Sequence, residues 1–221
     1  VSMIEKAQSI TDAAFDHILG YIKPGLTETD VAAELEYFMK KKGAQCPAFE
    51  TIAVSGKKSS MPHGVPESIV LTENSFLTMD FGAKYNGYCS DMTRTVVLGK
   101  ADDEMKRVYN TVLEAQLAGI AAAHGGALGK DVDKAARDII DNAGYKGLFG
   151  HSLGHSLGIE IHENPRFAPK FDKECPVQSI ITVEPGIYIP GKYGVRIEDM
   201  VLIGKDGCRD LTHSPKQLIE I

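Results

Sequence analysis

Apolar residues recur every three or four positions at the start of the chain, which is the spacing of one face of a helix. This pattern predicts a first helix over residues 2–22 and a second over residues 27–43, where Thr27 and Asp30 have the spacing of a capping box. Two further helices are predicted over residues 102–124 and 131–142. Apolar runs and turn residues predict strands over 50–58, 68–98 and 147–221, with turns at Asn86-Gly87, Asn164-Pro165, Pro190-Gly191 and Asp206-Gly207.

The order helix, helix, strands occurs twice along the chain. The residues that recur 101 positions later are Gly25, Asp30, Val31 and Gly43, as Gly126, Asp131, Val132 and Gly144. A repeat of about a hundred residues is too long for a solenoid and indicates a duplicated unit with a pseudo-twofold axis. We therefore expect an α+β fold in which helices cover a curved, mostly antiparallel sheet. The expected organisation is one domain over 1–221, with halves 1–100 and 101–221.

Two strand-like runs end in a carboxylate where a core strand normally continues with an apolar residue. The first run reads S-x-x-T-x-D-x-G around Asp80, and the second reads S-x-x-T-x-E-x-G around Glu184. A further acid follows each run, Asp91 in the first half and Glu198 in the second. Burial of four carboxylates without cations is unfavourable, because each loses hydration and repels the others. The pattern therefore predicts a multivalent metal site built from both halves.

Histidines and one arginine add to the candidate site. His151, His155 and His162 lie within twelve residues beside several glycines, which favours a metal or catalytic site over packed or surface histidines. His63 has a weaker local pattern. Strand alternation places Arg196 on the same face as Glu198, so Arg196 either holds a substrate carboxylate or carbonyl or forms a structural salt bridge.

Composition excludes several classes of protein. The formal net charge of -6 and the lack of a basic stripe argue against nucleic-acid binding. No apolar run is long enough for a membrane helix, so we expect no membrane association and a cytoplasmic location. The four cysteines contain no C-x-x-C pair and are expected to be reduced, packed thiols.

Five sequence blocks closely resemble the pita-bread family of metallopeptidases, which contains methionyl aminopeptidases, Xaa-Pro aminopeptidases and Xaa-Pro dipeptidases. The blocks that carry the resemblance are residues 151–163, 80–82, 90–95, 183–188 and 194–199. The similarity covers nearly the full length of the chain. It implies the pita-bread fold and the Xaa-Pro branch of the family.

The resemblance also implies roles for individual residues. Asp80 would chelate one metal ion, His155 and Glu184 would bind a second, and Asp91 and Glu198 would bridge the two ions. Two divalent cations would balance the charge of four carboxylates, with the neutral imidazole as an additional ligand. Ligation dominated by oxygen favours Mn(II), and Co(II), Fe(II) and Zn(II) stay open.

Other residues match family positions around the substrate. His63 and His162 correspond to the two histidines that contact the substrate carbonyl, the scissile amide and the tetrahedral intermediate. His151 and Arg196 correspond to positions of the proline-directed branch, and Glu184 to the proton shuttle. The implied reaction is hydrolysis of the bond between an N-terminal residue and proline by a metal-bridging hydroxide.

Several alternatives stay open at this point. A methionyl aminopeptidase would share the metal ligands, a creatinase-like amidinohydrolase would share the fold, and a non-catalytic relative would bind peptides without hydrolysis. Dipeptidase and aminopeptidase activities are not separated by the sequence. Proline-directed relatives usually carry an N-terminal domain that supports dimerisation; it is expected to be absent here, which leaves a homodimer as an open arrangement.

Overall fold

The computed structural model describes residues 1–221 and contains the four predicted helices. Their bounds are α1 Ser2–Tyr21, α2 Glu28–Lys41, α3 Asp103–Ala122 and α4 Gly129–Ile140. At the start of α2 the Thr27 hydroxyl accepts the Asp30 amide, and the Asp30 carboxylate accepts the Thr27 amide at 2.8 Å, which confirms the capping box. No helix combines the length and the apolar character that a membrane crossing requires.

Thirteen strands complete the fold. In the first half they are β1 Cys46–Pro47, β2 Ile52–Ser55, β3 Ser75–Phe81, β4 Ala83–Tyr85, β5 Tyr88–Cys89 and β6 Met92–Leu98. In the second half they are β7 Gly154–Ser156, β8 Glu163–Phe167, β9 Ile180–Val183, β10 Gly186–Ile189, β11 Tyr193–Arg196, β12 Asp199–Ile203 and β13 Cys208–Asp210. All pairs between these strands are antiparallel.

The two halves contain the same arrangement of strands. In the first half β3 lies between β2 and β6, and in the second half β9 lies between β7 and β12, in a sheet of order β13-β12-β9-β7-β8. Gly25 and Gly126 both have positive φ, +95° and +83°, and Gly43 and Gly144 follow with +105° and +93°. This left-handed conformation favours glycine, so the repeated glycines mark equivalent turns. The predicted duplicated unit is confirmed.

Each half has its own hydrophobic core under its helices. Leu77, Met79 and Phe81 of β3 point into the core beneath α1 and α2, and each is fully buried. Ile181 and Val183 of β9 point into the core beneath α3 and α4. Burial of each large apolar side chain stabilises the fold by about 1.5–3 kcal/mol. Among the alternate residues, Phe76 and Ile180 join other core clusters, whereas the polar Thr78 and Asp80 of β3 and Thr182 of β9 lie on the opposite face from Leu77, Met79, Phe81, Ile181 and Val183, as predicted.

The sheets of the two halves are joined by hydrogen bonds. The backbone N–H of Glu198, just before β12, donates to the carbonyl of Thr93 in β6 at 3.1 Å. The Thr95 hydroxyl also bonds both the carbonyl and the amide of Arg196, at 3.0 and 3.2 Å. This joint fixes the acids of one half relative to those of the other.

Five local predictions differ in outcome. The Asn86-Gly87 hairpin connects β4 and β5, and the turns at Pro190-Gly191 and Asp206-Gly207 lie between paired strands, as predicted. The predicted turn at Asn164-Pro165 is wrong, because both residues lie inside β8. This strand is at the edge of its sheet, where a proline without an N–H group is tolerated. The predicted strand over 50–58 stops at residue 55 and continues as a short 3-10 helix.

Candidate metal centre

A cavity of about 250 Å³ lies between the two halves. It is lined by all the residues that the sequence placed in the candidate site, namely His63, Asp80, Asp91, His151, His155, His162, Glu184, Arg196 and Glu198. The fold therefore brings together residues that are far apart in the chain.

The four acids reach the cavity from equivalent places in the two halves. Asp80 lies near the end of β3, and Glu184 follows the end of β9. Asp91 lies between β5 and β6, and Glu198 lies between β11 and β12. Each half thus contributes one acid at the end of its central strand and one acid from a connection between two strands.

Three side chains form a compact group that could hold a metal ion. Asp91, His155 and Glu198 are buried and present ligand atoms that all lie within 4.8 Å of one another. His155 Nε2 lies 3.5 Å from Asp91 Oδ2. The other ring nitrogen, Nδ1, lies 3.1 Å from the Ser156 carbonyl, which can only accept a hydrogen bond. Nδ1 therefore carries the proton, and Nε2 presents its lone pair to the acids, as in metal-binding histidines.

The remaining acids have asymmetric surroundings. Glu184 Oε1 accepts a hydrogen bond from the Thr182 hydroxyl at 3.1 Å and lies 3.5 Å from His155 Nε2. Asp80 Oδ2, which is partly buried, instead forms an ion pair with the buried Arg196 Nη2 at 2.6 Å. One side of the cavity is thus bordered by an imidazole and the other by a guanidinium.

Several carboxylate oxygens in the cavity wall have no hydrogen-bond partner. They are Asp80 Oδ1, Asp91 Oδ1 and Glu198 Oε1, all of them inaccessible. A buried carboxylate oxygen without a partner is costly, since it loses hydration and receives nothing in exchange. Oxygen donors of this type, close to an imidazole nitrogen, fit a divalent cation.

The pKa values of three cavity acids are raised, because the acids are buried where the cavity holds too little positive charge to balance its carboxylates. Burial raises the pKa of Asp91 and Glu198 well above their usual range, and the neighbouring carboxylates raise both further. Burial also raises the pKa of Glu184 to about 8, against the opposing effect of Arg196. The two guanidiniums of the cavity lining, Arg196 and the exposed Arg166, do not balance the four acids, so the site favours bound cations.

Three of the cavity histidines, His151, His155 and His162, have pKa values below the usual value. Burial lowers the pKa of His155 to about 4 and that of His151 to about 3. Burial likewise lowers the pKa of His162, whose ring packs edge-on against His155 with centroids 4.5 Å apart. A neutral imidazole is the form that binds metals and that donates one N–H to a ligand.

A hydrogen-bonded chain connects His151 to Arg196 through a tyrosine that sequence reasoning did not assign. Arg196 Nη1 donates to Tyr188 Oη at 2.7 Å, and His151 Nε2 lies 2.8 Å from the same oxygen. His151 Nδ1 lies 2.9 Å from the Ser152 carbonyl, so Nδ1 is protonated and Nε2 accepts the Tyr188 proton. The position of Tyr188 in the same block as Glu184 was the available signal. Arg196 was expected to contact substrate or to form a salt bridge, and the structure contains the salt bridge.

Sequence reasoning also missed other residues of the lining. They are Phe49, Ile52, Ser152, Gly154, Ile161 and Arg166. Arg166 pairs with His155 across β7 and β8, and no ion pair of the structure involves it. The incorrect turn at residues 164–165 hid this cation, because a strand there would have placed Arg166 beside the histidines.

Known proteins share this fold and these sequence blocks. The profile of metallopeptidase family M24 matches residues 2–205. The chain is 44% identical over 219 residues to the Xaa-Pro dipeptidase of Pyrococcus furiosus, covering 99% of this chain and 63% of that protein. An Xaa-Pro dipeptidase structure from Bacillus anthracis superposes with a TM-score of 0.98 at 47% identity, over 100% of this chain and 62% of that one. An X-Pro aminopeptidase structure from Thermotoga maritima gives 0.97 and 42%, over 100% and 62%.

These comparisons confirm the predicted pita-bread fold, since the likeness extends over the whole chain at TM-scores near one. The chain spans a little over three fifths of the length of these relatives, 62–63%. The profile match and the identity both exceed what chance similarity produces. The chain belongs to metallopeptidase family M24.

Proposed function

We propose that this chain is the catalytic domain of a metallo-exopeptidase that hydrolyses the bond between an N-terminal residue and proline. The observation that carries the proposal is the cavity between the halves, where carboxylates from both halves surround a neutral histidine and leave oxygens without partners. The relatives named as Xaa-Pro dipeptidases and as an X-Pro aminopeptidase support the same reaction class. We further propose that residues 1–221 act as one domain with halves 1–100 and 101–221.

The proposed cofactor is a pair of divalent cations, Mn(II) in the first place. Asp80 would bind one ion, His155 and Glu184 would bind the other, and Asp91 and Glu198 would lie between them. The support is the cluster of ligand atoms within 4.8 Å and the unpartnered carboxylate oxygens. Bound divalent cations lower the pKa of a coordinated water and polarise a carbonyl oxygen.

The protein residues would orient the substrate and move protons. As in the hydrolysis of any peptide bond, the departing nitrogen, here that of proline, must receive a proton, which a general acid of the enzyme can supply. Glu184 is proposed to hold and transfer this proton. His63 and His162 line the same cavity and would donate N–H groups to the substrate carbonyl.

Arg166 favours a dipeptidase among the two exopeptidase activities. It is an exposed guanidinium in the cavity lining, free of any ion pair in the structure. A guanidinium binds a carboxylate in a bidentate manner, and a dipeptide ending in proline has its free carboxylate next to the scissile bond. A longer peptide has an uncharged amide at that place. We therefore propose a preference for Xaa-Pro dipeptides.

Hydrolysis assays test this function directly. The purified protein with Mn(II) should hydrolyse Ala-Pro, should hydrolyse a longer Ala-Pro peptide more slowly, and should lose both activities after exhaustive chelation. Hydrolysis of a peptide with N-terminal methionine but no proline would instead support a methionyl aminopeptidase. Activity that survives chelation would contradict the proposal.

A further inference from the structure

Arg94 is a fully buried arginine that lies outside the cavity. It belongs to β6 and is 1% exposed. All five of its N–H groups have acceptors within 2.9 Å. These acceptors are the carbonyls of Pro215, Thr93, Glu198 and Ser214 and the carboxylate of Asp199. Such complete pairing of a buried guanidinium holds each acceptor in a fixed place.

Two of these acceptors, the carbonyls of Thr93 and Glu198, lie where the sheets of the two halves meet, and Glu198 is one of the cavity acids. Arg94 Nη1 donates to the carbonyl of Glu198 at 2.6 Å and to that of Thr93 at 2.9 Å. The N–H of Glu198 donates to the same Thr93 carbonyl at 3.1 Å. The Thr93 hydroxyl bonds Glu198 Oε2 at 2.6 Å. Both the backbone and the side chain of Glu198 are thus hydrogen-bonded to Thr93, and Arg94 binds the backbone carbonyls of both residues.

The other acid of the cluster lies immediately before β6, the strand of Arg94. Asp91 precedes β6 by one residue and lies three residues before Arg94. Glu198 comes from the second half of the chain, so its separation from Asp91 depends on how the halves are joined. Arg94 connects the halves at this place, because its remaining bonds reach Asp199 and the C-terminal segment.

Asp199 and Glu198 are neighbours in the sequence but have different surroundings. Burial would raise the pKa of Asp199, but Arg94 and Lys216 hold it below its usual range. Gln116 also donates to Asp199 at 2.7 Å. Asp199 is therefore a satisfied anion behind the site, whereas Glu198 in the cavity keeps an oxygen without a partner.

We propose that Arg94 is a positioning residue that sets the separation of Asp91 and Glu198 and thereby the affinity of the cavity for a divalent cation. The inference rests on the proposed metal site. A substitution should leave the ligands present but misplaced. Loss of a residue that supports metal ligands typically lowers metal affinity by about 10-fold to 100-fold.

The test compares Arg94→Lys and Arg94→Met with Leu35→Ala, which removes a buried side chain of α2 in the N-terminal core. Mn(II) affinity by calorimetry and the Co(II) absorption spectrum are measured under conditions where circular dichroism shows folded protein. The Arg94 variants should bind about 10-fold more weakly or worse, with an altered Co(II) spectrum. Leu35→Ala should be less stable, with affinity and spectrum unchanged.

The outcomes separate this inference from the proposed function. Wild-type protein that binds no metal would overturn both. Metal binding by wild-type protein, with unchanged affinity and spectrum in the folded Arg94 variants, would overturn only the role of Arg94. If Arg94→Met does not fold, Arg94→Lys and Asp199→Asn provide the test, since each keeps the side-chain volume while weakening the Arg94 bonds.

Discussion

The two halves supply acids at equivalent positions. Asp80 in β3 lies opposite Ile52 of β2. Glu184 follows β9, and its N–H donates to the carbonyl of Leu153 at 2.8 Å, just before β7. Each acid thus lies beside the corresponding neighbouring strand of its half. The duplication alone accounts for the symmetric placement of the carboxylates.

The two halves carry different side chains at the position two residues after Ile52 in the first half and two residues after Leu153 in the second. The first half has Val54, which is 1% exposed, and the second half has His155. The first-half acid has a guanidinium partner instead, through Arg196 and Asp80. The backbone symmetry therefore places charge around the cavity, and single side chains make the two sides chemically different.

Loss of a proposed bridging acid should have the largest effect. Glu198→Gln and Asp91→Asn keep the shape of the side chains but remove a negative charge that two cations would share. Both variants should lose all measurable turnover of Ala-Pro and retain less metal after dialysis, as measured by elemental analysis. Normal metal content in either variant would contradict the bridging role.

The asymmetry between the halves can be tested with two variants at equivalent positions. His155→Ala removes the imidazole of the second half and should weaken metal binding strongly, with little turnover left. Val54→Ala, at the equivalent position, should cost about 2 kcal/mol of stability yet leave metal affinity unchanged. Calorimetric titration with Mn(II), combined with thermal unfolding, distinguishes them. Similar metal affinities for the two variants would refute the assigned asymmetry.

His151 should matter for the substrate rather than for the metals. His151→Ala breaks the hydrogen bond to Tyr188 and the chain that reaches Arg196. We expect kcat/KM for Ala-Pro to fall about 10-fold to 1,000-fold, as for loss of a positioned polar group, with metal content unchanged. Tyr188→Phe is the milder control. Metal loss in His151→Ala would mean that this histidine, rather than His155, is a ligand.

The smallest expected effect is on the stability of the metal-free protein. Glu184, with its pKa raised to about 8, binds a proton in the folded state that the unfolded state releases, and Asp91 and Glu198 act in the same direction. The lowered pKa values of His151 and His155 oppose this only below the usual pKa of 6.5. Stability should therefore fall as pH rises from 6.5 toward 8, by at most about 1.4 kcal/mol per pH unit from Glu184, with Asp91 and Glu198 acting in the same direction.

Saturating Mn(II) should remove this decline, because bound cations favour the ionised acids. Thermal unfolding at several pH values, with a chelator and with Mn(II), provides the measurement. A metal-free protein whose stability rises from pH 6.5 to 8 would show that the acids are not crowded together.

Local patterns predicted much of this molecule. Helical periodicity and the Thr27–Asp30 capping box located the helices, since both depend on residues close in sequence. The strand-ending acids Asp80 and Glu184 were recognisable because a buried carboxylate breaks an apolar run. The repeated glycines revealed the duplication. The placement of the acids in one cavity followed from that symmetry.

Contacts between distant strands were beyond such patterns. Arg94 binds backbone carbonyls of residues more than a hundred positions away. Every residue has such a carbonyl, so the sequence does not show which of them will be bound. Arg166 was hidden by the Asn-Pro pair, which reads as a turn but lies in an edge strand. The link of Tyr188 to His151 required the packing of β10 beside the residues that precede β7. These features depend on tertiary register.

The most direct test of the metal centre is the anomalous difference density of a crystal grown with Mn(II). We expect two manganese peaks in the cavity, both in contact with Asp91 and Glu198, with His155 bound to only one of them. A cavity without manganese, or manganese bound away from these carboxylates, would contradict the proposed metal centre.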